Sequence, residues 1–254
     1  MSDDMPEARL PTDAPQTFVL VHGACHGGWC WARVAPILER AGHRVLTPTC
    51  GGVGERSGEL TPQTGLDSFI GDIAEVLVAQ DVSNAVLVGH SFGGCIISGV
   101  ADQMPERLAQ LIFLDAMVVQ SGEAPMSILA GEVVEARRRA AALSPGGLCM
   151  PAPSASAFAV TDPADAEWVE RHLTPHPIKT YEDRLVLRHP LGNGLPKTYV
   201  ACTRPEFSAT APVRRWVREQ AGWSCREIAT GHDAMVLAPA LLADLFMAIA
   251  AGRM

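Results

Sequence analysis

An apolar run, Asn84-Ala85-Val86-Leu87-Val88, passes straight into Gly89-His90-Ser91-Phe92-Gly93 and from there into a helical stretch at 94–104. The order of strand, sharp turn and helix constrains the fold more than any other feature of the chain. G-x-S-x-G at such a junction makes a turn tight enough to lift the serine hydroxyl clear of the sheet, a nucleophile elbow. Glycines two before and two after Ser91 are needed because a side chain at either place would block the turn. A bare G-x-S-x-G is frequent by chance. Its meaning therefore depends on a base, an acid and oxyanion donors falling where the same fold would put them.

Strand-like and helical runs alternate on both sides of this turn, the pattern of a mostly parallel sheet flanked by helices. Strands are expected at 17–21, 44–48, 84–88, 108–114, 198–202 and 225–229. Helices are expected over 29–40, 66–80 and 94–104, with a single closing helix from about Met235. Between Met117 and Leu195 no clean strand is visible, and proline breaks such as Pro151-Ala152-Pro153 and Thr174-Pro175-His176-Pro177 divide helix-forming segments. An insertion at that point, above the C-terminal strand ends, reads as a mainly helical cap over a site. The expected organisation is a flexible tail at 1–16, an α/β catalytic domain formed by 17–116 and 196–254, and a cap at 117–195. Arg137-Arg138-Arg139 reads as the solvated face of a cap helix.

Composition narrows the partners. A net charge of −8 gives no electrostatic reason to expect nucleic acid or an anionic membrane. The apolar stretch at 234–251 carries Pro239 and Asp244, so it reads as a packed helix and not as a membrane span. Seven cysteines, without C-x-x-C or zinc-site spacing, read as reduced thiols, hence a cytoplasmic protein with no metal. The polar, acidic start of the chain lacks the basic and apolar regions of a signal peptide. A homodimer is compatible with all of this.

A serine hydroxyl is a poor nucleophile until a base takes its proton. His232, in Ala229-Thr230-Gly231-His232-Asp233, follows the last expected strand and so emerges at the same sheet edge as Ser91. That histidine needs an acid to fix its tautomer. Asp115 ends the strand after the elbow, which in the usual order is the neighbouring strand, about 5 Å away. An ionisable residue there is hard to explain as packing, because burying it unpaired costs several kcal/mol. Glu206, in the loop after Cys202, is the alternative acid. Asp233 reads as a helix-start residue. Oxyanion donors are expected from the backbone N–H of Phe92 and from Ala24, in the glycine-rich loop after the first strand. That loop does not spell the dinucleotide-binding G-x-G-x-x-G. Trp29, Phe92, Met117 and Trp168 are candidate substrate-lining residues.

Taken together, these segments resemble the α/β-hydrolase superfamily, in particular the branch of plant methylesterases, hydroxynitrile lyases and their bacterial esterase relatives. The resemblance is carried by Phe18-Val19-Leu20-Val21-His22-Gly23-Ala24-Cys25-His26-Gly27-Gly28-Trp29-Cys30-Trp31, Ala41-Gly42-His43-Arg44-Val45, Gly89-His90-Ser91-Phe92-Gly93-Gly94 and Gly231-His232-Asp233-Ala234-Met235. Plant members usually place an aspartate after the Cys-Thr matching Cys202-Thr203, where this chain has Pro205. Bacterial relatives often carry it in the motif matching Phe113-Leu114-Asp115-Ala116. The lyases have threonine and lysine where this chain has Ala24 and Asp233. The resemblance implies an α/β-hydrolase fold and a cofactor-free serine hydrolase acting on a carboxylic ester or lactone of a small, mainly apolar molecule. Lyase chemistry on the same triad, or ligand binding on a hydrolase scaffold, are the alternatives.

Overall fold

The computed structural model describes residues 14–253, so the expected tail at 1–16 lies outside it up to residue 13. In chain order the elements are β1 Thr17–Val21, α1 Ala35–Arg40, β2 Arg44–Leu46, α2 Leu66–Ala79, β3 Ala85–His90, α3 Gly93–Gln103 and β4 Leu108–Leu114. An insertion then contributes α4 Gly131–Ala142, β5 Cys149–Met150, α5 Pro163–His172, β6 His176–Pro177 and α6 Lys179–Glu182. The chain returns to the sheet with β7 Lys197–Cys202, α7 Ala211–Glu219, β8 Trp223–Ile228, α8 Ala234–Leu237 and α9 Pro239–Ala250.

Six strands form one sheet in the order β2-β1-β3-β4-β7-β8, every neighbouring pair parallel. Because β3 and β4 lie in the middle, both of their faces are covered, which explains their near-continuous apolar runs. Side chains alternate between two cores, as a period of two requires. Val19, Val21, Leu87 and Phe113 pack with α2 and α3, whereas Phe18, Leu20, Val86, Val88 and Leu114 pack with Leu38 of α1 and Phe246 of α9. Leu66, Phe69, Ile70, Ile73 and Leu77 form the buried stripe of α2, at the i, i+3, i+4, i+7 spacing of one helical face. This is the α/β-hydrolase fold.

Three local expectations are corrected. The helix expected over 29–40 is a 3-10 turn at Gly28–Trp31 followed by α1, because Pro36 has no N–H to continue a helix from the preceding turn. The single closing helix is two, α8 and α9, parted at Pro239 for the same reason. The insertion also holds a two-stranded antiparallel ladder, Cys149 opposite Pro177 and Met150 opposite His176, too short to leave a periodic signal. Among the described residues no helix is long and apolar enough to cross a membrane.

Candidate active site

Ser91 occupies the turn between β3 and α3 with φ 52°, a left-handed conformation that costs a residue bearing a side chain. Backbone hydrogen bonds hold it there: its N–H donates to the Leu114 carbonyl at 3.0 Å, and its carbonyl accepts from Met117 N–H at 2.8 Å. A Cβ at Gly89 would lie 2.6 Å from the Gly93 oxygen, and one at Gly93 would lie 2.8 Å from the His22 oxygen. The two glycines are therefore steric requirements of the turn.

The tips of three elements converge on this serine. His232, in the loop between β8 and α8, places Nε2 2.9 Å from Ser91 Oγ and Nδ1 2.7 Å from Asp115 Oδ2. A carboxylate only accepts, so Nδ1 carries the proton and Nε2 is left to accept the serine hydroxyl. The Phe207 ring stacks on the imidazole at 3.9 Å and 23°, and His90 Nε2 donates to the His232 carbonyl at 3.1 Å. Asp115 is fully buried and also accepts from the Thr210 hydroxyl at 3.2 Å. Arg214 Nε stands 3.4 Å from the same oxygen without hydrogen-bond alignment, so it acts there as a charge. Its other nitrogens donate to the carbonyls of Cys202 at 3.1 Å and Phe207 at 2.6 Å. Of the two candidate acids, then, Asp115 meets the histidine. The Glu206 side chain is 66% exposed and, among the described residues, approaches only Arg214, at 3.5 Å. Thr210, Arg214 and Phe207 escaped the sequence reading because the 203–224 stretch yielded no helix there; the pattern of Val213, Arg214 and Val217 as the buried residues of α7 is the signal that could have revealed one.

Across the serine lies the loop after β1. Among the described residues, neither the Ala24 N–H nor the Phe92 N–H donates a hydrogen bond within the protein. The Ala24 carbonyl is held by His26 Nδ1 at 2.8 Å, and His26 Nε2 donates to Asp233 Oδ2 at 3.2 Å. Asp233 starts α8 as expected, but its side chain makes no cap hydrogen bond; it is fully buried and anchors this loop through His26. Burial opposes a charge on His26, but the Asp233 carboxylate outweighs it and raises the histidine's pKa.

Ser91 and His232 open on a cavity of about 420 Å³ whose apolar walls include Met117, Leu129, Met150, Phe158, Tyr181 and Phe207. Met117 therefore lines it as expected, but Trp29, Trp168 and Phe92 do not. Trp29 stacks on His26 at 5.1 Å and against Trp168 at 5.3 Å, away from the cavity. The Phe92 ring is buried against Tyr181 at 4.7 Å and Phe69 at 6.2 Å. The arginine run on α4 also divides. Arg138 pairs with Glu135 and Glu182 at the surface, whereas Arg137, one helical step away, turns into the cavity with Cζ 4.7 Å above the Tyr181 ring. Among the described residues no group of three or more His, Cys, Asp or Glu is placed to hold a metal ion, and all seven cysteines are free.

The buried histidines make stability pH-dependent. His22 donates from Nδ1 to the Gly23 carbonyl and accepts the Cys50 N–H at Nε2, so only the neutral ring satisfies both partners. Burial lowers its pKa from 6.5 to about 4. Its contribution to stability is complete above the unfolded value and is lost as pH falls toward the folded one. Between pH 7 and 5 that single group costs about 2 kcal/mol. His90 and His176, whose pKa values burial also lowers, act in the same direction, while His26 acts in the opposite one. The urea midpoint is expected to drop over this interval, above the range where exposed carboxylates titrate. A midpoint that stays constant would contradict the neutral, buried state of these rings.

A parallel sheet whose strand tips bring serine, histidine and carboxylate into one hydrogen-bonded line is the framework of the carboxylesterase-type hydrolases. The sequence profile of the Alpha/beta hydrolase family matches residues 18–245, and the chain belongs to that family. It is 34% identical over 240 residues to the carbendazim hydrolyzing esterase of Nocardioides sp. (strain SG-4G), covering 91% of this chain and 98% of that one. Methylesterase 1 of Arabidopsis thaliana is 34% identical over 116 residues, 45% of this chain and 44% of the plant protein. Among solved structures, an extracellular alpha/beta-hydrolase from a Paenibacillus species matches with TM-score 0.78 at 23% identity, over 93% of this chain and 99% of that one. A pyrethroid hydrolase from Sphingobium faniae JZ-2 matches with TM-score 0.73 at 22% identity, over 93% of this chain and 98% of that one. At such identities the two structures speak for the fold alone.

Proposed function

We propose that the protein is a serine hydrolase that cleaves a carboxylic ester, or a lactone, of a small and mainly apolar molecule. The observation that carries this reading is the line Ser91 Oγ to His232 to Asp115, at 2.9 and 2.7 Å, opening on an apolar cavity. Ser91 Oγ attacks the ester carbonyl as His232 Nε2 takes its proton, and the Nδ1–H bond to Asp115 stabilises the imidazolium. The N–H groups of Ala24 and Phe92 receive the developing oxyanion; as donors with no internal acceptor they need no rearrangement to do so. His232 returns the proton to the departing alcohol. It then draws a proton from water, whose oxygen attacks the acyl-serine, and gives that proton to Ser91 Oγ as the acid departs. No step calls for a cofactor. The full-length likeness to a carbendazim hydrolyzing esterase supports an ester-like substrate, as does the partial likeness to plant methylesterases. Seven free thiols, six of them buried, suit a reducing compartment such as the cytoplasm.

The lyase reading draws on partial likeness to an alpha-hydroxynitrile lyase of Arabidopsis thaliana, 34% identical over 113 residues. Against it stands Asp233, a buried acid beside His232 where cleavage to cyanide would call for a cation. One experiment separates the two. Esters of graded acyl length, lactones and cyanohydrins are incubated in ¹⁸O-water. Equal amounts of acid and alcohol, with label in the acid, are expected. Release of aldehyde or ketone and cyanide from the cyanohydrins, with the esters untouched, would overturn the hydrolase reading.

A further inference from the structure

We propose that the cavity selects esters that also carry a carboxylate, and that Arg137 of α4 binds that carboxylate. The inference rests on the ester-hydrolase reading and narrows its substrate class. Arg137 lines the same cavity as Ser91 and His232, with its guanidinium over the Tyr181 ring. Its Nη1 is buried and has no hydrogen-bond partner among the described residues. Other partly buried arginines are compensated: Arg33 pairs with Asp165 at 2.6 Å, and Arg214 lies 3.4 Å from Asp115. Arg138, next in sequence to Arg137, reaches Glu135 at 3.3 Å and Glu182 at 3.1 Å. Among the described residues Arg137 has no such carboxylate.

A guanidinium does not shed its charge on burial as an amine does, so its cost must be met by a partner. The face of Tyr181 meets part of it. Burial raises the Tyr181 pKa while the charge on Arg137 works the other way, which leaves a neutral phenol beside the cation and no counter-ion among the described residues. Glu132 also borders the cavity, but it is exposed and forms no ion pair with Arg137. His26, on the loop side, is already matched to Asp233. What remains is a guanidinium on the cavity wall with one nitrogen unpartnered, and a carboxylate is the geometric complement of such a group. Apolar lining around the guanidinium strengthens that pairing by excluding water.

Matched chromogenic and ultraviolet-absorbing esters test this with the whole protein. The charge is placed on the acyl side in p-nitrophenyl hydrogen adipate, compared with p-nitrophenyl hexanoate. It is placed on the alcohol side in p-carboxyphenyl butanoate, compared with p-carbamoylphenyl butanoate. The wild type should favour the carboxylate in one of the two pairs by about tenfold or more in kcat/KM, chiefly through KM. Arg137→Met should lower turnover of that carboxylate ester on the order of 10- to 100-fold and its neutral match far less. Arg137→Lys should restore part of the preference, and the exposed Arg139→Met on the same helix should leave it in place. Hydrolysis of the neutral esters without a carboxylate preference, or a preference that survives Arg137→Met, would overturn the inference. Failure to hydrolyse all four esters would overturn the hydrolase reading, and this inference with it.

Discussion

Replacing Ser91 with alanine is expected to lower kcat by about 10⁴- to 10⁶-fold while leaving the protein folded. The folded state should tolerate the change because, among the described residues, the only hydrogen bond of Ser91 Oγ is to His232 Nε2, and the turn is held by backbone bonds and by the closeness of Gly89 and Gly93 to their neighbours. Alanine keeps the backbone and removes one partly accessible hydroxyl. Activity should collapse because the covalent route is lost altogether, leaving only binding and the two proposed oxyanion donors. A fluorophosphonate probe should label the wild type once, at Ser91, and fail to label the variant. Labelling of another residue, or a variant within tenfold of wild-type activity, would remove Ser91 from the nucleophile role.

The second large effect concerns the acid. Asp115→Asn is expected to reduce kcat by about 10²- to 10⁴-fold, and Glu206→Gln by less than about twofold. An asparagine at 115 can turn its amide N–H toward Nδ1, which favours the tautomer that protonates Nε2 and removes the acceptor for the Ser91 proton. It also leaves the buried Arg214 without the charge it faces at 3.4 Å, so a stability loss of about 3 kcal/mol should accompany the kinetic one. The two effects are separable: kcat is measured well below the variant's melting temperature, where the population of unfolded protein is negligible. Glu206 touches only an arginine nitrogen at 3.5 Å and is mostly solvated, so its charge is screened. If the ranking of the two variants were reversed, the acid would have to be reached through a rearranged loop after β7.

Much of the framework was legible because it is local. The elbow announces itself through two glycines, an apolar strand and a following helix, all within twenty or so residues, on the order of one β-turn-α unit. The alternation that predicts a parallel sheet is equally local, and so is the position of His232 after the last strand. Asp115 was argued from the neighbourhood of two strands, an inference that needs only the usual strand order; the sheet has that order, β3 beside β4. The split of the closing helix at Pro239 could also have been read, since proline cannot donate an N–H.

Other parts of the site were hidden because their partners are distant in sequence. Asp233 does start α8, but its bond to His26 joins positions 207 apart. The Thr210 hydroxyl meets Asp115 across 95 positions, from an element whose proline start and several arginines gave no strong core signal. Trp29 and Trp168 were attractive as aromatic walls, but Trp29 stacks on His26 and meets Trp168 edge-to-face, where aromatic area is buried without reaching the cavity. Arg137 belonged to a run of three like charges, and sequence spacing cannot say which member of such a run faces inward.

The sequence by itself thus determined the succession of strands and helices, the serine turn and the histidine loop, because each follows from backbone geometry and hydrophobic period over a few residues. The tertiary structure decided which acid stands behind His232, what anchors the loop after β1 and which arginine borders the cavity. Those outcomes depend on strand order in the sheet and on how α4 and α7 pack over its ends, and both are settled by contacts between segments that local pattern does not connect.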